Sequence, residues 1–170
     1  MSDIIPALED PIPGNRFLVS LDPTDAYLPV AQSLIITLIA AGQFAQVTGL
    51  SAQLEVLAHP EGGRNDYVHQ LPVRHSYPKI TLSRGVVRDP GLFFWYQAGM
   101  SQSIGARRDG AIVLLTPKGI PAVGWIFRAG LASGWKGPEL NGSQSAVAVE
   151  SIEIVHEGLQ QIPLSPPRIG

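Results

Sequence analysis

Hydrophobic positions along the chain fall in short runs, several of them alternating with polar residues, and each run is closed by glycine or proline. Phe17, Val19 and Leu21 alternate with Arg16, Leu18 and Ser20 up to Asp22-Pro23, which predicts a first strand with one apolar face. Residues 33–41 and 43–48 read as two strand pieces around Gly42, a position for a bulge or bend. Leu54, Val56 and Ala58 carry the alternation into a loop at 59–66, and residues 67–73 return, so 51–73 is expected to form a long hairpin arm. Another strand covers 80–87 and stops at Asp89-Pro90. Asp suits a helix N-cap and Pro the first helical turn, so 91–100 is the predicted helix despite the run Phe93, Phe94, Trp95 and Tyr96. Strands follow at 111–116, 119–127 and 146–155, then a proline-rich tail over 162–170 that is expected to be mobile or bound to a partner. The fold class is mainly β, an antiparallel barrel or sandwich with one short helix on its outside.

Composition sharpens this picture. A chain of 170 residues forms one domain, and its charged residues, at 15%, fall short of the roughly 25% usual in soluble domains, so part of the surface is expected to lie under partners. A net charge of −2 offers no basic field for a phosphate backbone, which argues against nucleic-acid recognition. The absence of cysteine excludes disulfides, thiolate metal sites and a cysteine nucleophile. The first ten residues hold Asp3, Glu9 and Asp10 where a secretory signal has a basic start, so a cytoplasmic origin is expected. The apolar run 34–41, broken by Thr37, is far shorter than the ~20 residues of a membrane-spanning helix, and no membrane anchor is expected.

No catalytic constellation emerges. His59, His69, His75 and His156 show none of the spacings that put two metal ligands on one helical face, and they read as surface histidines near the arm. There is no Gly-x-Ser-x-Gly elbow. Gly130 to Gly137 lacks the phosphate-loop spacing, because Trp135 separates Gly134 from Lys136, and it reads as a turn. Asn141-Gly142 reads as a tight turn, and Arg107-Arg108-Asp109 as a solvated one. The aromatic run could serve as a recognition platform, but core or inter-subunit packing is the commoner use of such clusters. The expectation is a protein that is not an enzyme, with no cofactor and no metal.

Several segments carry a resemblance. Asn15-Arg16-Phe17-Leu18-Val19 and Phe44-Ala45-Gln46-Val47-Thr48-Gly49-Leu50 are followed by Glu61-Gly62-Gly63, Leu71-Pro72 and Lys79-Ile80-Thr81-Leu82-Ser83-Arg84-Gly85. Arg107-Arg108-Asp109 and the stretch from Glu150 to Leu159 complete the set. In this order they resemble the tail-tube family of contractile phages and extracellular injection systems, relatives of the haemolysin-coregulated tube protein of type VI secretion. The resemblance spans 15–159, with 1–14 as an N-terminal extension and 160–170 as a C-terminal tail. Residues 22–43 are longer than the family's usual turn between the first two strands.

What the resemblance implies is a structural subunit of an inner tube, a homo-hexameric ring whose strands join across subunits into one closed barrel around a channel. A closed barrel removes the edge strands that would otherwise aggregate. Rings would stack inside a sheath, with baseplate or spike hub and terminator proteins as further partners and cargo possible in the lumen. Contacts between subunits or rings are expected at Glu61, Gly62, Gly63, Arg64, Arg84, Arg107, Arg108 and Asp109. The protein would remain cytoplasmic until assembled into a virion or extracellular particle. The extension at 22–43 keeps open a tube-initiating or terminal ring, and a β-barrel module that binds a small ligand is the reading from another class.

Overall fold

A computed structural model describes residues 11–21, 44–63, 66–88, 90–102 and 106–164. The strand expected at 33–41, the N-cap Asp89, Arg64 and the extension at 22–43 lie outside them. The elements run β1 (Phe17–Leu21), β2 (Gln46–Thr48), β3 (Gln53–His59), β4 (His69–Ser76), β5 (Ile80–Gly85), α1 (Gly91–Gln102), β6 (Arg108–Leu115), β7 (Pro121–Lys136), β8 (Val149–Val155) and β9 (Gly158–Pro163). Every strand pairing is antiparallel.

One sheet has the order β1-β6-β7-β8-β5-β2, with β9 also on β7, and β3 and β4 form a separate pair. The 16 residues of β7 make the architecture. Its first half lies between β6 and β9, from Val123↔Pro163 to Arg128↔Gly158, whereas its second half pairs with β8 from Leu131↔Val155 onward. The long strand therefore turns a corner and belongs to two layers. Val19, Leu21, Ile112 and Phe127 from the first layer share one core with Ile80, Leu82, Ile152 and Ile154 from the second.

The corner has a local cause. Ala129 is the one described residue other than glycine with a positive φ, at 50°. Asp109 of β6 holds it there, accepting hydrogen bonds from the Ala129 amide at 2.8 Å and from Arg128 Nη1 at 2.7 Å. Phe127, buried, pairs across the strands with Gly110, where an added Cβ would stand 2.3 Å from the ring; at Gly130 it would stand 2.5 Å from the same ring. A side chain at either glycine would expel that ring from the core.

The predicted helix is present and two residues longer, its first bond running from the Phe94 amide to the Pro90 carbonyl at 3.0 Å. Leu92, Trp95 and Ala98 sink into the core, and Trp95 Nε1 donates to the Ala106 carbonyl at 3.0 Å. Three expectations need correction. Gly130 to Lys136 is the second half of β7 and not a turn, because Gly130 pairs with Arg108 of β6 and β8 pairs from Leu131 to Lys136 with a bulge at Ser133. Arg108 opens β6 with its side chain buried, so it does not belong to a solvated turn. Ile162 and Pro163 close strand β9, and the Leu164 amide bonds to the Ala122 carbonyl at 2.9 Å, so the tail begins beyond them.

Candidate assembly surface

The arm continues the β2–β5 pair. β2 leads into β3 through Gly49, whose φ of +87° and whose missing Cβ, which would sit 1.9 Å from the Lys79 carbonyl oxygen, admit only glycine. β4 returns into β5 through Tyr77-Pro78-Lys79. Seven register pairs hold the arm, from Gln53↔Ser76 to His59↔His69, with a bulge between Glu55 and Val56 that accommodates Pro72. Glu55 and Arg74 form a salt bridge across it. Every residue of β3 is exposed, Leu54, Val56 and Leu57 included, although its pattern is that of a buried strand. A two-stranded hairpin alone is marginal in water, so its apolar side calls for a covering surface.

The residues expected at inter-subunit contacts separate into three groups. Glu61, Gly62 and Gly63 form the exposed turn at the arm tip, with Glu61 Oε1 3.4 Å from His69 Nε2 and Gly63 at a φ of +90°. Arg107 lies on the surface and pairs with Glu157, while Asp109 serves the β7 corner. Arg84 and Arg108 are each only 2% exposed within the subunit. Arg84 Nε donates to Glu150 Oε1 at 2.7 Å, and Glu150 Oε2 accepts from Trp135 Nε1 at 3.2 Å, so one buried carboxylate ties β5, β8 and the end of β7. Paired and hydrogen-bonded in this way, the two charges are tolerable inside a sheet, and removal of either would be destabilising.

The histidines also divide. His59 and His75 stand exposed on the arm, and His69 is half-buried there. His156 lies off the arm, half-buried at the corner between β8 and β9, its ring 5.4 Å from that of Tyr77 and 6.2 Å from that of Phe127, and its Nε2 is buried without a hydrogen-bond partner. Among the described residues no group of three histidine or carboxylate side chains is placed to hold a metal ion. No described helix is long and apolar enough to cross a membrane.

Sequence reasoning missed a second exposed surface. Val86, Val87, Leu140, Val147 and Val149 are all exposed where β5 ends and β8 begins. Leu140, Val147 and Val149 line a groove of about 560 Å³ beside the loop 137–148, together with Ser83, Lys136 and Glu139. The signal is the valine content of 86–87 and of Val147-Ala148-Val149, which falls at the ends of predicted strands.

Comparison with known proteins follows this geometry. The family model of the T4-like virus tail tube protein gp19 matches residues 13–160. The chain belongs to that tail tube family. Membership makes it a structural tube subunit, and the fold agrees with solved tube-type structures. It superposes on a chain of the cryo-EM structure of the anti-feeding prophage baseplate with a TM-score of 0.75 and 21% identity, over 94% of this chain and 100% of that one. The anti-feeding prophage tube terminating cap gives 0.74 and 21%, over 92% and 94%. The sheath-tube complex of the PVC extracellular contractile injection system, in its extended state, gives 0.73 and 20%, over 96% and 99%. No curated protein matches the chain by sequence.

Proposed function

We propose that this tail tube protein assembles as hexameric rings that stack around a central channel inside a contractile sheath, and that the arm β3–β4 is the element reaching from one ring toward the next. The observation that carries the reading is the arm itself, a strand pair with an apolar pattern and every β3 residue exposed. The body supports it: among the described residues β1, β2 and β9 each pair on one side only, and closure of such edges across subunits makes a continuous barrel. The subunit is cytoplasmic until it joins the particle. It does no chemistry, binds no cofactor and carries no metal; its lumen holds cargo or stays closed until firing. The tube domain is taken to span residues 15–159 together with the rest of β9, to Pro163.

The test is deletion of residues 61–66. Negative-stain microscopy of the wild-type chain should show rings or tubes, and the shortened chain should give rings that do not stack. Long tubes from the shortened chain would remove the arm tip from the inter-ring role, and featureless particles from the wild type would favour a ligand-binding barrel. A specialised initiator or terminal ring is the second reading, favoured by the likeness to chains in baseplate and cap structures. Its signature would be one ring per particle instead of many, counted by labelling the chain in intact particles.

A further inference from the structure

Asparagine is a thermolabile residue, and most so before glycine, where no Cβ hinders the following backbone amide from attacking the asparagine side chain. The chain holds one such pair, Asn141-Gly142, and one Asp-Gly pair open to the same attack, Asp109-Gly110. The structure treats them oppositely. Gly110 lies inside the sheet, in register with Leu21 of β1 and Phe127 of β7, and the Asp109 carboxylate is held by the Ala129 amide and by Arg128. That pair is locked in place. Asn141 and Gly142 belong to the exposed stretch 139–147, nothing lies within 4 Å of the place a Gly142 Cβ would take, and the Gly142 amide has no hydrogen-bond partner among the described residues.

The Asn141 side chain is arranged for the attack. Its Oδ1 accepts from the Ser143 amide at 3.0 Å and from Ser143 Oγ at 2.7 Å. A backbone N–H can only donate, so the atom that faces it is the carbonyl oxygen and not the amide nitrogen. Two donors on Oδ1 draw charge from Cγ and stand where negative charge develops when a nucleophile adds to that carbon, which is how an oxyanion hole works. A bond from the Gln144 amide to the Asn141 carbonyl oxygen at 3.2 Å closes the turn around them.

We propose that Asn141 is a self-modification site, at which the Gly142 amide displaces ammonia from the side chain and water then leaves an acid in its place. The Gly142 nitrogen, its proton taken by water or hydroxide, bonds to Asn141 Cγ; the Cγ–Nδ2 bond breaks, and Nδ2 departs as ammonia with a proton from water. The resulting cyclic imide adds water across one of its two carbonyl–nitrogen bonds and opens to aspartate or isoaspartate. Amide and water thus become acid and ammonia, and nothing is oxidised or reduced. Each conversion makes the chain one charge more negative than its −2. The new carboxylate stands beside the groove that Asn141 lines together with Glu139 and Lys136. There the one lysine offsets Glu139 before conversion, and the product leaves the rim acidic. A subunit that waits before assembly therefore carries its age as charge on this loop.

The test incubates the purified full chain in warm, mildly alkaline buffer over days and maps its peptides by mass spectrometry against a sample taken at the start. Asn141 should convert progressively, with aspartate and isoaspartate both present, and heavy-oxygen water in the buffer should label the new carboxyl group. Asn15, equally exposed but followed by Arg16, should convert at least several-fold more slowly, and Asp109 should give no isoaspartate. Gly142→Ala, on the open side of an exposed turn, should slow the reaction several-fold, and Ser143→Ala should slow it by less. If Asn141 converts no faster than Asn15, or Gly142→Ala converts as fast as the unaltered chain, the site is overturned. If Ser143→Ala leaves the rate unchanged, the part given to the two Oδ1 donors is overturned.

Discussion

Strands β5 and β3 carry the same alternation of apolar and polar residues and meet opposite fates. In β5, Ile80 and Leu82 are completely buried, whereas in β3 Leu54 and Val56 lie open to solvent. The difference is not in the strands but in what lies across from them: β5 has β8 and β2 at its sides and the β1 layer over its apolar face, while β3 has β4 and nothing else among the described elements. An alternating pattern declares that one face will be covered. It does not say whether the cover belongs to the same chain, and here the body covers itself while β3 stays uncovered among the described residues. The two regions should therefore answer mutation differently: the body through folding, the arm through assembly.

The largest effect is expected at Trp95. Its ring is completely buried between the helix and the sheet, and its indole N–H is bonded to the Ala106 carbonyl. Trp95→Ala should cost about 3–5 kcal/mol, the usual range for emptying a large aromatic site, and should lower the denaturation midpoint of the free subunit before any assembly is measured. Leu57→Ala on the arm, by contrast, should stay within ~0.5 kcal/mol in the free subunit. Equal losses at the two sites would erase the distinction between body and arm.

Next comes Asp109, which binds both the Ala129 amide and the Arg128 guanidinium at the corner of β7. Hydrogen bonds to a charged group are worth about 1.5–3 kcal/mol, and Asp109→Ala should lose an amount in that range because Ala129 must keep its positive φ unaided. Ala129→Gly in the same background should recover part of it, since glycine tolerates that conformation. If it does not, the corner is set by packing of Phe127 alone.

Much of this was legible along the chain. Local pattern and turn chemistry located the helix after Pro90, the first strand and the arm, because each depends on neighbours in sequence. The second half of β7 was not legible: Gly130, Gly134 and Gly137 look like a turn, and only the pairing with β8, distant in sequence, makes the segment a strand. β9 was hidden for the same reason, since Ile162 and Pro163 join the sheet through β7. Burial of Arg84 and Arg108 also escaped, because charged residues are read as exposed by default and Glu150, the partner of Arg84, lies 66 residues away. The aromatic run divided as geometry requires, with Trp95 buried and Phe94 exposed one position earlier on the helix.

The smallest expected effects separate two histidines that the sequence alone treats alike. His69 stands on the arm, 40% exposed at its side chain, with Glu61 beside it and the Tyr67 ring edge-on at 5.1 Å. Exposed contacts of this kind contribute about 0–1 kcal/mol at most, so His69→Ala should change the stability of the free subunit by no more than ~0.5 kcal/mol and leave tubes intact. His156 belongs to the body. Its Nδ1 lies 3.0 Å from the Gly158 carbonyl oxygen where β8 gives way to β9, and its ring fills space against Tyr77 and Phe127. His156→Ala removes that packing and should cost about 1–2 kcal/mol, visible as a lower denaturation midpoint of the unassembled chain. The ordering matters more than either value. Were His69→Ala the more damaging of the two in the free subunit, the arm would already be held by its own body, and its exposed apolar face would need no second copy to cover it.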